Sequence, residues 1–261
     1  MNRIDNKFRN LRRENKKAFV AFITAGYPNL SVTEKLIYEF DKIGVDILEL
    51  GVPFSDPMAD GPVIQEASQA ALKNSTHLID ILKLVKKARK KVKLPICLMT
   101  YLNPVFCFPE KDFIIKAVES GVDGVIIPDL PPEEGKGFIQ AANKRGLDVI
   151  CFLSPTSSLK RIKLISRASR GFIYYVSLTG VTGERNKLSV DIAKKINLIK
   201  RYTAKPICVG FGVSTPAQAR EVKRIADGVI IGSAIVKKIK ENIGKPGLAN
   251  RVSSFVAALK A

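Results

Sequence analysis

Two acids in one short stretch carry the strongest chemical signal in this chain: Glu49 and Asp60, in the run ILELGVPFSDPMADGP over residues 47–62. Glu49 closes an apolar segment in which residues 47 and 49 alternate with 48 and 50, so a strand would aim Ile47 and Glu49 at one face. Burial there raises the pKa of an acid and lets it keep a proton near neutrality. The loop behind it carries Pro53, Pro57, Gly61 and Pro62, which resist helix and strand alike, and it returns Asp60 towards the same strand end. Two carboxylates brought to one strand end are therefore the first candidates for chemistry. The competing reading makes the aspartates ordinary turn caps.

A second group of residues points to an anion. Gly210, Phe211 and Gly212 follow one apolar run, and Gly232 and Ser233 follow the next, immediately before a helical pattern. Free backbone N–H groups and a helix N-terminus can cradle a phosphate at such a place. Turns that merely need glycine are the rival explanation for either loop alone.

The elements that must position these residues alternate along the chain. Eight apolar runs, at residues 19–24, 46–50, 95–100, 124–127, 148–153, 172–176, 206–210 and 228–231, are separated by helical patterns. Those patterns include residues 31–43, 111–120, 133–145, 158–168, 190–202 and 215–225. An internal echo, GVDILELG at Gly44, GVDGVIIPD at Gly121 and ADGVIIGS at Ala226, repeats a small-residue–Asp turn entering an apolar run. Eight βα units predict an α/β fold, a (β/α)8 TIM barrel over residues 1–261 as one domain, with an N-terminal capping helix from the amphipathic residues 3–14. A doubly wound open sheet fits less well, since no G-x-G-x-x-G follows the first run. In a barrel the chemistry belongs at the carboxyl ends of the strands, where Glu49 and the glycine pairs fall. The polar stretch 177–189, SLTGVTGERNKLS, with Gly180 and Gly183, reads as a mobile lid over that rim.

Composition narrows the classes further. No apolar run approaches the roughly 20 residues of a membrane helix, and the start, MNRIDNKFRNLRREN, has no signal-peptide core, so a cytoplasmic enzyme is expected. Cys97, Cys151 and Cys208 lie in apolar runs and Cys107 in a loop, without metal-ligand spacing. The single histidine, His77, follows Asn74, Ser75 and Thr76 and reads as a surface helix cap; one imidazole excludes a metal site built from imidazoles. The net charge is +19, with basic residues crowding residues 3–17 and 83–93. Without an aromatic stacking platform or a nucleic-acid motif these are solvated helix faces, and no nucleic acid or membrane partner is expected. A positive field still favours an anionic substrate.

The motifs, taken in order, carry a resemblance. FVAFITAGYP from Phe19, ELGVPFSDPMADGPVIQ from Glu49, PDLPPEE from Pro128, SPTSS from Ser154, YYVSLTGVTG from Tyr174, VGFGVS from Val209 and IGSAIVKKI from Ile231 make the chain similar to the tryptophan synthase alpha chain family. The resemblance implies a lyase that splits indole-3-glycerol phosphate into indole and glyceraldehyde 3-phosphate by a retro-aldol reaction. It implies Glu49 as general acid and base and Asp60 as the group that stabilises charge on the indole ring. Phe22, Met99, Tyr101, Ile126, Phe152 and Tyr174 would line the indole pocket; barrel core is the alternative for all six, and most of all for Met99 and Ile126. Thr182 would fix Asp60; Gly183, Gly212, Gly232 and Ser233 would meet the phosphate, with Phe211 beside it. No cofactor is implied on this chain. The implied partner is a beta subunit holding pyridoxal phosphate, in an alpha2beta2 complex. The rivals are an indole-glycerol-phosphate synthase, which would need a lysine inside the barrel, a sugar-phosphate isomerase, a partner activator that has lost catalysis, and a basic nucleic-acid binder.

Overall fold

The computed structural model describes residues 2–108, 113–177, 185–210 and 212–261, with backbone alone over residues 185–190. Eight strands, β1 (Ala18–Thr24), β2 (Ile47–Gly51), β3 (Ile96–Met99), β4 (Gly124–Ile126), β5 (Asp148–Leu153), β6 (Ile173–Val176), β7 (Ile207–Gly210) and β8 (Gly228–Ile231), pair in parallel and in sequence order. β8 returns to pair with β1, so the sheet closes. All eight apolar runs became strands, because strands covered on both faces read as continuous apolar segments. Helices between them complete the (β/α)8 barrel.

Alternation along each strand sorts its side chains into two layers. Ala18, Val20, Ile47, Cys97, Ile126, Ile150, Phe172, Cys208 and Ile230 pack together inside the barrel. Their neighbours, such as Leu48, Leu50, Leu98, Val125, Val149 and Val229, pack outwards against the helices. Three of the four cysteines are buried this way, and Cys107 is exposed.

The lower end of the interior is closed by α1 (Arg3–Arg13), which buries Ile4, Phe8 and Leu11 in that inner layer. Phe8 meets Phe172 with ring centroids 5.9 Å apart. The Asn2 side chain accepts from the Ile4 and Asp5 N–H groups and donates to the Asp123 carbonyl, fixing the start of the helix to the barrel floor.

The aspartates of the internal echo have a structural task on that floor. Asp46 Oδ2 accepts the Phe19 N–H at 2.9 Å, Asp123 Oδ2 the Ile96 N–H at 2.9 Å, and Asp227 Oδ2 the Ile207 N–H at 3.1 Å. Each stands just before an even-numbered strand and binds the preceding odd one. Between β5 and β6 the hydroxyl of Ser169 takes this place, accepting the Cys151 N–H at 3.0 Å. The aspartates also hold cations: Asp46 faces Lys7, Asp123 faces Arg89 and Arg3, and Asp227 faces Lys200 and Lys17.

His77 stands at the N-cap of α4 (Leu78–Ala88) and donates its backbone N–H to Asp80, as a helix cap does. Arg89 leaves the basic face of this segment, its guanidinium turned onto Asp123 and the carbonyls of Gly121 and Leu94. Two helices fall where no helical pattern had been assigned: α3 (Pro62–Lys73) starts on the last proline of the acidic loop, and α5 (Leu102–Phe106) occupies the turn after β3. Proline at the first helical position loses no hydrogen bond and has a suitable φ, which explains the former. Among the described residues no helix is long and apolar enough to cross a membrane.

Candidate active site

Glu49 lies in the middle of β2 rather than at its end, because the strand continues to Gly51. It pairs in register with Phe22 on β1 and Cys97 on β3. The residue is 1% exposed, and neither carboxylate oxygen has a hydrogen-bond partner among the described residues. Burial first, and then the charge of Asp60, push its pKa up to about 8. It therefore carries a proton at neutral pH.

Asp60 sits on the loop between β2 and α3. It does not cap that helix: the N-cap is Gly61, without a side-chain bond. The loop is tied by the Asp60 N–H on the Pro57 carbonyl at 3.0 Å and by the Gln65 amide on the Asp60 carbonyl at 2.9 Å. Desolvation raises the Asp60 carboxyl to about 6, opposed by a hydrogen bond from the Tyr101 hydroxyl at 3.1 Å. At neutral pH Asp60 is charged while Glu49 is not. Environments that separate the pKa values of two acids assign them different roles.

Aromatic side chains surround the pair. Phe152 and Tyr174 lie 4.8 Å apart between ring centroids and pack on the interior layer beside Met99. Ile126 is fully buried in that layer. The Tyr174 hydroxyl lies beside Gly210, where a Cβ would come within 2.8 Å of it. Phe22 lies between Gly51, where a Cβ would meet its ring at 2.6 Å, and Gly232, where one would meet it at 3.2 Å. Glycine at positions 51 and 210 is thus what lets two aromatic rings enter the mouth. Thr24, on the same face as Phe22, holds a buried hydroxyl with no partner among the described residues. Sequence reading passed over it, since threonine in a strand is unremarkable.

Gly210, which the structure makes the last residue of β7, and Gly212 stand on one rim with Gly232 and Ser233 after β8, since the two strands are neighbours. Gly212 has φ +72° with open space where a side chain would be, and Gly232 is the N-cap of α11 (Ser233–Lys240) without a side-chain cap. Ser233 is exposed at the first helical position. Thr182, Gly183 and Phe211 lie outside the described residues, as does most of the expected lid. Its last part is corrected: residues 185–189 belong to α9 (Arg185–Lys200), so the polar pattern there is the first turn of a helix.

Comparison with known proteins decides the family. A family model described as tryptophan synthase alpha chain matches residues 8–260. The chain belongs to the tryptophan synthase alpha chain family. A tryptophan synthase alpha chain from Geotalea uraniireducens is 51% identical, with 100% of this chain and 97% of that one covered. The one from Geotalea daltonii is 49% identical, with 100% and 98% covered. Among solved structures, tryptophan synthase subunit alpha from Legionella pneumophila superposes with a TM-score of 0.92 at 39% identity, covering 100% and 97%. A tryptophan synthase structure from M. tuberculosis in an aminoacrylate-bound form gives 0.88 at 32%, covering 100% and 99%. The tryptophan synthase alpha chain is a lyase that cleaves indole-3-glycerol phosphate in tryptophan biosynthesis.

Proposed function

We propose that Glu49 and Asp60 divide the proton chemistry of this cleavage between them. Glu49, buried and protonated, gives its proton to indole C3. The ring then carries a positive charge, which the ionised Asp60 stabilises by accepting the indole N–H. The bond between C3 and the glycerol carbon breaks, its electron pair restoring the neutral indole. The side-chain hydroxyl becomes the aldehyde carbonyl and returns its proton to Glu49. No net proton is consumed, and Glu49 ends in the state in which it began.

The observation that carries this reading is the contrast between the two acids: one fully buried with its pKa near 8, the other near 6 on a hydrogen-bonded loop. Phe22, Tyr101, Ile126, Phe152 and Tyr174 are proposed to hold the indole ring. Gly212, Gly232 and Ser233, with Gly183 and Phe211, are proposed to hold the phosphate, and Thr182 to fix Asp60. The inward positions Ile47, Glu49, Cys97, Ile126, Ile150, Phe152, Tyr174 and Cys208 include no lysine, which weighs against the synthase alternative.

Replacing Glu49→Gln removes the transferable proton and keeps the shape. Indole release from indole-3-glycerol phosphate should fall by at least about 10²-fold. Substrate should still bind, as read by calorimetry. Turnover at the wild-type rate would refute the role of Glu49.

A beta subunit is the proposed partner, in an alpha2beta2 assembly that carries its pyridoxal phosphate on that subunit. Family membership supports this, together with two large side chains at the same end as Asp60: Met58 is 86% exposed and Phe106 is 78% exposed. A single cytoplasmic domain over residues 1–261 completes the proposal.

A further inference from the structure

The loop bearing Asp60 has no regular element of its own to hold the carboxylate, so the side-chain contact from Tyr101 is decisive. The hydroxyl accepts the Ala59 N–H at 3.0 Å and lies 3.1 Å from Asp60 Oδ2. A phenol has one proton to give, and with Ala59 donating to the oxygen that proton goes to Asp60. Consecutive residues of the loop are thereby bound to one oxygen atom. That atom is itself well placed. The Tyr101 ring is 4% exposed and stacks on Phe54 with centroids 5.1 Å apart and planes 28° apart. The next residue, Leu102, donates its N–H to the Asp129 carboxylate at 2.9 and 3.1 Å.

We propose that Tyr101 is a positioning residue for Asp60, its hydroxyl holding the carboxylate in the orientation that receives the indole N–H. This rests on the role of Asp60 proposed above and gives Tyr101 a task beyond lining the ring pocket. The hydrogen bond also favours the charged form of Asp60, against desolvation. The other titratable groups facing Asp60 are Glu49 on β2, kept neutral near pH 7 by the burial that raises its pKa to about 8, and Tyr174 on β6, a phenol neutral there in any case and raised further by burial. Asp129 faces Tyr101 from the loop after β4 and raises its hydroxyl further.

The test is Tyr101→Phe, which keeps the ring and its stack on Phe54 and removes only the oxygen. In the wild-type chain kcat/KM for cleavage should rise through about pH 6 and fall through about pH 8. In the variant the acid limb should move up by about half a unit to one unit, and kcat should fall about tenfold with KM changed less than about twofold. A role confined to packing predicts an unmoved limb and an unchanged kcat, and that result would overturn the proposal. A chain with 3-fluorotyrosine at position 101, a stronger donor, should move the limb down instead; an unmoved limb there is equally fatal, even if Tyr101→Phe fails to fold. Asp60→Asn separates the two readings. If it cleaves substrate normally, the role of Asp60 itself is wrong; if it is inactive while Tyr101→Phe behaves as wild type, only the role of Tyr101 falls.

Discussion

Glu49 and Asp123 are both carboxylates all but removed from solvent, at 1% and 2% exposure, yet their surroundings are opposite. Asp123 has two guanidiniums and a strand N–H; the Glu49 oxygens have none of these. Pairing makes a buried acid structural, and its absence leaves a proton available for transfer. Asp148 is a third case. It heads an odd-numbered strand, is 4% exposed, and its Oδ2 has no partner among the described residues. Desolvation lifts its pKa to about 7, against a hydrogen bond from Asn2. The folded pKa therefore exceeds the unfolded one, and the folded chain keeps a proton that the unfolded chain has released. The associated stability is fully present below about pH 4 and is lost as pH rises to about 7. Asp148→Asn should thus exceed wild type in unfolding free energy at pH 8 by about 1–3 kcal/mol, read by urea unfolding, and show no gain at pH 4. Equal gains at both values would exclude titration of Asp148 as the cause.

At the scale of the element, α1 is the piece whose contribution can be separated most cleanly. Asn2→Ala removes an N-cap and should cost about 1 kcal/mol. Ile4→Ala opens a void beneath the inner layer and should cost about 2–5 kcal/mol. Urea unfolding reads both, and indole formation should persist in each, since neither residue approaches the mouth. A loss of activity larger than the loss of folded protein would mean that the floor is coupled to the active site. The strands, the capping helix and the two acids were legible because apolar runs, amphipathic spacing and a carboxylate among aliphatic residues are local signals. Contacts across the barrel were not. Tyr101 and Asp60 are 41 residues apart and meet only because β2 and β3 are neighbours. The start of α9 was hidden because GERNKLS has no apolar period, so its helical turn reads as loop. Arg89 looked like one more member of a basic face until Asp123 gave it a partner.

For the whole molecule, the charge of +19 is carried by solvated faces: Lys83, Lys86, Lys87, Lys90, Lys91 and Lys93 are all exposed. A field of that sign concentrates a phosphate ester near the protein and weakens with salt. Raising ionic strength from about 0.01 to 0.2 M should increase KM for indole-3-glycerol phosphate several-fold and leave kcat nearly constant. A KM indifferent to salt would confine binding to the glycine rim. The floor caps have a consequence for how such a chain could be divided. Each of Asp46, Asp123, Ser169 and Asp227 serves the strand before its own, so the barrel is tied as four pairs: β1 with β2, β3 with β4, β5 with β6 and β7 with β8. Opening the chain after β2, β4 or β6 leaves every tie inside one fragment, whereas opening it within a pair severs one. Circular permutants and complementing fragments should therefore refold best when the new termini fall between quarters of the barrel.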